Sequence, residues 1–127
     1  MNLLIDTHAL LWWLGSPELV PINATNVLAN TEGRVYVSAV VAWEMAIKVN
    51  LRKLEAHEVV SDLRRILFDK GFYRLAITMD HALRAGVLPR HHNDPFDRML
   101  VAQAQALNCP IVSADRVFDF YGVRRIW

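Results

Sequence analysis

Four acidic residues, Asp6, Glu44, Asp97 and Asp115, are placed where they can do chemistry together, with a fifth, Asp94, three positions before Asp97. Asp6 closes the apolar run "NLLID", and Asp115 follows the strand-like "PIVSA". Glu44 lies inside the apolar stretch "AVVAWEMAIKVN", and Asp94 and Asp97 stand three positions apart at the start of "DPFDRMLVAQAQ". Three or four converging carboxylates form a hard, oxygen-rich, negatively charged pocket that suits Mg²⁺ or Mn²⁺ and lacks the His and Cys set expected for zinc. Such a pocket points to metal-assisted phosphodiester hydrolysis. One or two ions would activate a water and neutralise an in-line transition state, the two-ion version holding them about 3.5–4 Å apart.

Each acid also has a simpler role open to it. Asp6 can N-cap the helix "THALLWWL", and its position alone does not choose between cap and ligand. Glu44 has Lys48 four residues later, the favoured order for a helical ion pair worth about 0.2–0.5 kcal/mol. It is nevertheless the only charge within residues 39–47, and so apolar a setting asks for a buried partner or a metal. Asp94 precedes Pro95, and Pro favours the first helical position, so Asp94 reads as the N-cap of the following helix. Asp97 then leans toward the buried stripe of Leu100 and Val101 from a helix N-terminus, where the macrodipole favours an anion, and is the ligand candidate of the pair. Asp115 can cap a short helical turn, and Asp119 reads as a surface charge.

The elements that must position these acids alternate. "NLLID" reads as a strand, followed by the helix "THALLWWL" and a second helix "INATNVLANT"; "RVYVS" alternates as a strand before Ser38 caps "AVVAWEMAIKVN". "HEVVSDLRRILFDKG" has the pattern of one amphipathic helix ended by Gly71, "YRLAIT" reads as a strand, and "MDHALRAGVLP" as a short helix. A helix from Pro95 to about Asn108, the strand "PIVSA", the turn "DRVFDFY" and the strand "VRRIW" complete the order. Alternation of this kind favours an α/β sandwich around a mostly parallel sheet, whose sites form at the carboxyl ends of the strands.

With 127 residues the chain fits one domain, without internal repeats or low-complexity linkers. Its 54% hydrophobic content implies a full core or apolar surface kept for partners, and a net charge of +1 argues neither for nor against nucleic acid. No apolar run reaches membrane-spanning length, and the first residues lack a signal peptide's cationic start and cleavage site. The expectation is therefore a cytoplasmic protein without a membrane partner. Cys109 has no second cysteine to pair with and reads as a buried small hydrophobe.

Four stretches resemble one family in order and spacing. "LLIDTHALLWW", "VSAVVAWEMAIK", "HHNDPFDRMLVAQAQ" and "IVSADRVFDFY" are similar to the PIN-domain nucleases, and within them to the VapC-like toxins of toxin–antitoxin pairs. The resemblance spans nearly the whole chain. It implies a single PIN-like domain over residues 1–127, a three-layer α/β/α sandwich with a mostly parallel central sheet. It also implies an acidic quartet of Asp6, Glu44, Asp97 and Asp115 that binds Mg²⁺ or Mn²⁺ and cleaves RNA. Asp94 is then a cap or a support, and Ser113 fills the place, two before the last acid, where the family carries Thr or Ser. The resemblance further implies a homodimer and a small antitoxin whose helix or tail lies near the acidic pocket. Trp12, Trp13 and Trp43 are candidates to line that groove, or else fill the core. Lys48, Arg52, Arg90, His91, His92 and Arg98 form a candidate basic rim, with Arg90, His92 and Arg98 set against RNA phosphates.

Other readings stay open at this level. An aspartyl-nucleophile phosphatase wants a second Asp two positions after the first, where His8 stands. A metal-free ribonuclease would use His91 and His92 as acid and base, although adjacent side chains rarely converge on one phosphate. A structure-specific DNA nuclease uses similar acids, and a non-catalytic RNA- or partner-binding module is the reading from outside enzymology.

Overall fold

The apolar triplet Leu3–Ile5 forms strand β1, fully buried at the centre of a five-stranded sheet. A strand covered on both faces needs an unbroken apolar run rather than alternation, and "LLI" supplies it. In the computed structural model, which describes residues 1–127, β1 lies between β2 (Val35–Ser38) and β4 (Ile111–Val112). β3 (Tyr73–Leu75) and β5 (Arg125–Ile126) form the two edges, in the order β3-β2-β1-β4-β5. Every pairing is parallel, so the sheet is wholly rather than mostly parallel. Helices pack on it as in the expected three-layer α/β/α sandwich.

The helices are α1 (Thr7–Gly15), α2 (Ile22–Asn30), α3 (Ala39–Asn50), α4 (His57–Ser61), α5 (Leu63–Asp69), α6 (Met79–Gly86) and α7 (Pro95–Leu107). Leu10 of α1, Val41 and Met45 of α3, and Leu100, Val101 and Ala104 of α7 close over the strands in one hydrophobic cluster. Phe118 joins it from a 3-10 turn spanning Arg116–Tyr121. Cys109 is buried and free, and burial raises its thiol pKa, in keeping with a packing role. No helix is long and apolar enough to cross a membrane.

The strands expected over "PIVSA" and "VRRIW" shorten to Ile111–Val112 and Arg125–Ile126, and two further sequence expectations need correction. The segment "HEVVSDLRRILFDKG" is two helices, α4 and α5, broken at Asp62. The Ser61 hydroxyl donates to the carbonyls of His57 and Glu58 beside the Asp62 amide's own 3.3 Å bond to Glu58, back-bonding of the kind that bends a helix where the hydrophobic pattern runs on. "YRLAIT" is a strand only over Tyr73–Leu75. Its partners are Tyr36, Val37 and Ser38, after which β2 turns into α3 and offers nothing further to pair with.

Candidate active site

The chain runs outward from β1 through β2 to β3, then returns to place β4 on the other side of β1. The strand order therefore reverses beside β1, and in open parallel sheets the crevice at the carboxyl ends of the strands at such a point is where ligands bind. Asp6 leaves β1 into that crevice, and Ser113 and Asp115 leave β4 into it. α3 begins there after β2, which brings Glu44 in from one side. α7 leads into β4 and so starts at the same edge, bringing Asp94 and Asp97. One pocket of about 450 Å³ is lined by Asp6, Thr7, His8, Trp12, Glu44, Lys48, Asp94, Asp97, Ala114 and Asp115. A hollow of similar size, about 470 Å³, lies between β2, β3 and α5, but its lining is mainly apolar with Arg64 and Arg74 and contains no carboxylate.

Each acid is held by identifiable neighbours. Asp6 both caps α1 and lines the pocket: Oδ1 accepts from the Ala9 amide at 2.9 Å, while Oδ2 accepts from the Ser113 hydroxyl. Ser113 in turn accepts from the Asp115 amide at 2.9 Å, so one buried serine links the ends of the two central strands. Glu44 is only 6% exposed. Thr7 Oγ1 donates to its Oε1 at 2.6 Å and Lys48 Nζ to its Oε2 at 2.5 Å. The helical ion pair thus forms, and the acid in it is buried rather than solvated. Asp94 caps α7, its Oδ1 accepting from the amides of Phe96 at 2.8 Å and Asp97 at 3.4 Å. Asp115 caps the Arg116–Tyr121 turn, accepting from the Val117 amide at 3.0 Å.

The electrostatics of this pocket favour a cation. Five carboxylates line it against one ammonium, that of Lys48. Burial raises the Asp6 pKa, against the opposing effect of its bonds from Ser113 and Ala9. Burial and then the neighbouring Asp94 charge push Asp97 up to about 6, although His92, with Nε2 2.9 Å from Asp97 Oδ2, partly offsets them. Ligand atoms of His92, Asp94 and Asp97 all lie within 4.8 Å of one another. This donor set, carboxylates with a single imidazole at its margin, fits a hard divalent ion rather than zinc.

A family model, the PIN domain, matches residues 3–123. The chain belongs to the PIN-domain family. No curated protein is a significant sequence match for it. Among solved structures it is similar to VapBC-1 from nontypeable Haemophilus influenzae, with a TM-score of 0.68 at 12% identity over 98% of this chain and 96% of that one. DNA-bound VapBC from Salmonella typhimurium aligns with a TM-score of 0.71 at 16% identity, covering 98% and 96%. A toxin–antitoxin complex from Klebsiella pneumoniae aligns at 0.61 and 19%, covering 89% and 86%.

Within this PIN domain the basic residues do not share one role. Arg98 departs from the expected rim: it is 7% exposed, and its guanidinium donates to the carbonyls of Ala85, Leu88, Pro89 and His92. The four carbonyls satisfy the buried guanidinium, which thereby fastens the segment leading to His92. His92 contacts Asp97, Lys48 contacts Glu44, and Arg90, His91 and Arg52 are exposed. Trp12 lines the pocket and packs on Trp127 with ring centroids 5.5 Å apart. Trp43 is exposed, edge-on to Phe96, and Trp13 is half-buried away from the acids. Asp119 is exposed and paired with Arg125. The residue missed from sequence is Thr7, whose hydroxyl orients Glu44. Its place directly after the strand-ending Asp6 was the available signal.

Proposed function

We propose that this PIN domain is a Mg²⁺- or Mn²⁺-dependent endoribonuclease and the toxin of a toxin–antitoxin pair. The single observation that carries the reading is the gathering of five carboxylates from four chain segments into one pocket at the sheet's carboxyl edge. PIN domains are generally nucleases, which supports hydrolysis of a phosphodiester. A divalent ion held by Asp6, Glu44, Asp97 and Asp115 would supply charge neutralisation and an acidified water. Asp94 holds the start of α7, and Ser113 and Thr7 fix the carboxylates of Asp6 and Glu44 by hydroxyl donation, so that little reorganisation accompanies binding. Lys48 lies at the pocket beside Glu44, where its ammonium can meet a phosphate oxygen as well as the carboxylate.

A small antitoxin partner is supported by the likeness to chains from toxin–antitoxin complexes. A homodimer is supported by the apolar surface left over. Met79, Leu83 and Val87 recur every fourth residue along and just past α6 and are 76%, 64% and 84% exposed. The test uses protein freed of any antitoxin, a labelled RNA and the DNA strand of the same sequence, both in Mg²⁺. RNA is cut and DNA is not, and Asp97→Ala abolishes the cutting while circular dichroism and hydrodynamic size stay those of the parent. Equal cutting of the DNA would transfer the reading to a DNA nuclease, and an unimpaired Asp97→Ala protein would overturn the assignment of the site.

A further inference from the structure

Lys48 is the only ammonium lining the acidic pocket, and it stands on one of the carboxylates. Its Nζ lies 2.5 Å from Glu44 Oε2, while the Thr7 hydroxyl donates to Oε1 at 2.6 Å, so both oxygens of Glu44 already hold a donor. The two donors differ in freedom. Thr7 is 4% exposed and follows β1 and Asp6 directly, so its hydroxyl is fixed by the sheet. Lys48 carries its charge on a flexible stem, and its side chain is 34% exposed against 8% for that of Glu44. A helical ion pair on an open surface has both partners in water. Here the acid is inside the pocket and only the base is free to leave.

A divalent ion drawn to Glu44 meets a like charge already seated on Oε2, and partly buried like charges at such short range repel with little screening. We propose that Lys48 is a built-in counter-cation: it neutralises Glu44 while the pocket holds no ion, gives up Oε2 when an ion binds, and then presents its ammonium to a phosphate oxygen of the nucleic acid. The exchange rests on the reading of this pocket as an ion site. It gives Lys48 opposite effects on two ligands, against the ion and for the phosphate. A side chain that only steadied α3 would favour both or neither. Because the released ammonium favours the phosphate, RNA and ion each tighten the binding of the other.

The test titrates the antitoxin-free chain with Mn²⁺ alone by calorimetry, then measures KM for a labelled RNA in saturating Mg²⁺. Lys48→Met keeps an unbranched stem and removes the charge. It binds Mn²⁺ about five- to a hundredfold more tightly than the parent and raises KM by a similar factor. Lys48→Arg, which leaves a cation on Glu44, gains no Mn²⁺ affinity. A second measurement needs no variant and follows nuclear magnetic resonance signals of the parent chain isotope-labelled at lysine Cε. Lys53 and Lys70, its other two lysines, are exposed and outside the acidic pocket, and Mg²⁺ brings the Lys48 signal to theirs without moving them. Mn²⁺ affinity in Lys48→Met no higher than in the parent, or a Lys48 signal that saturating Mg²⁺ leaves in place, would overturn the exchange. An unchanged KM would overturn the phosphate contact. Failure of the ion reading gives a different result: neither the parent nor Lys48→Met binds Mn²⁺, which removes the ion site and the exchange together.

Discussion

Asp97 holds its proton to about pH 6, against an ordinary 3.8, because burial and the Asp94 charge both oppose its ionisation. The folded chain therefore keeps a proton that the unfolded chain has already lost from about pH 4 upward. Metal-free stability falls as pH rises from about 4 to about 6 and levels above that. Asp97→Asn reduces this slope, leaving the part that the raised Asp6 carboxyl contributes, and makes the metal-free protein more stable at pH 7.5, by an amount on the order of 2 kcal/mol; urea unfolding in EDTA at pH 4.5 and 7.5 measures both. A steeper slope in the variant would contradict the account. Arg98 is the other residue with a large expected effect. Arg98→Ala leaves four buried or half-buried carbonyls without their donor and costs about 3–5 kcal/mol in the same unfolding assay. Arg98→Lys restores only part, since one ammonium cannot reproduce a planar fork. The acids were legible in sequence because carboxylates at strand ends and in an apolar helix conflict with their surroundings. Arg98 was not, because an arginine near a helix start looks the same whether its guanidinium faces water or a ring of carbonyls.

Among the elements, the approach of the chain's first residues to the loop before β2 depends on Gly33. A Cβ there would lie 2.4 Å from the backbone carbonyl of Met1 and 2.7 Å from the Asn2 amide nitrogen. Leu3 enters the sheet immediately afterward, its amide donating to the Arg34 carbonyl at 2.8 Å. Gly33→Ala must push backbone against backbone and is expected to cost about 1–3 kcal/mol, read as a lowered Tm. An unchanged Tm would show that the first residues move aside freely. The order of strands and helices was readable because strand runs and helical spacing differ in period. The places where it was misread are those where local hydrogen bonding wins. Ser61 bonds back to two carbonyls where the α4–α5 segment bends, and β3 ends where its neighbour stops pairing, which depends on register and not on β3's own residues.

At the scale of the whole molecule, a family model covering residues 3–123 and a wholly parallel five-stranded sheet account for the fold, and the surface carries what remains. Composition indicated excess apolar surface without its location; the structure puts part of it on the outward stripe of Met79, Leu83 and Val87. If that stripe joins two copies, Leu83→Glu shifts the mass measured by light scattering from that of a dimer to that of a single chain and leaves the far-ultraviolet spectrum unchanged. A monomeric parent protein would contradict the homodimer.

The claim on which the rest depends is that the carboxylate pocket works by holding a divalent ion. The most direct measurement is cleavage of a labelled single-stranded RNA by protein stripped with EDTA, before and after Mg²⁺ or Mn²⁺ is restored. No cleavage is expected in EDTA, with recovery on adding either ion and products carrying 5′-phosphate ends. Cleavage that persists undiminished in EDTA would contradict it and shift the chemistry to His91 and His92.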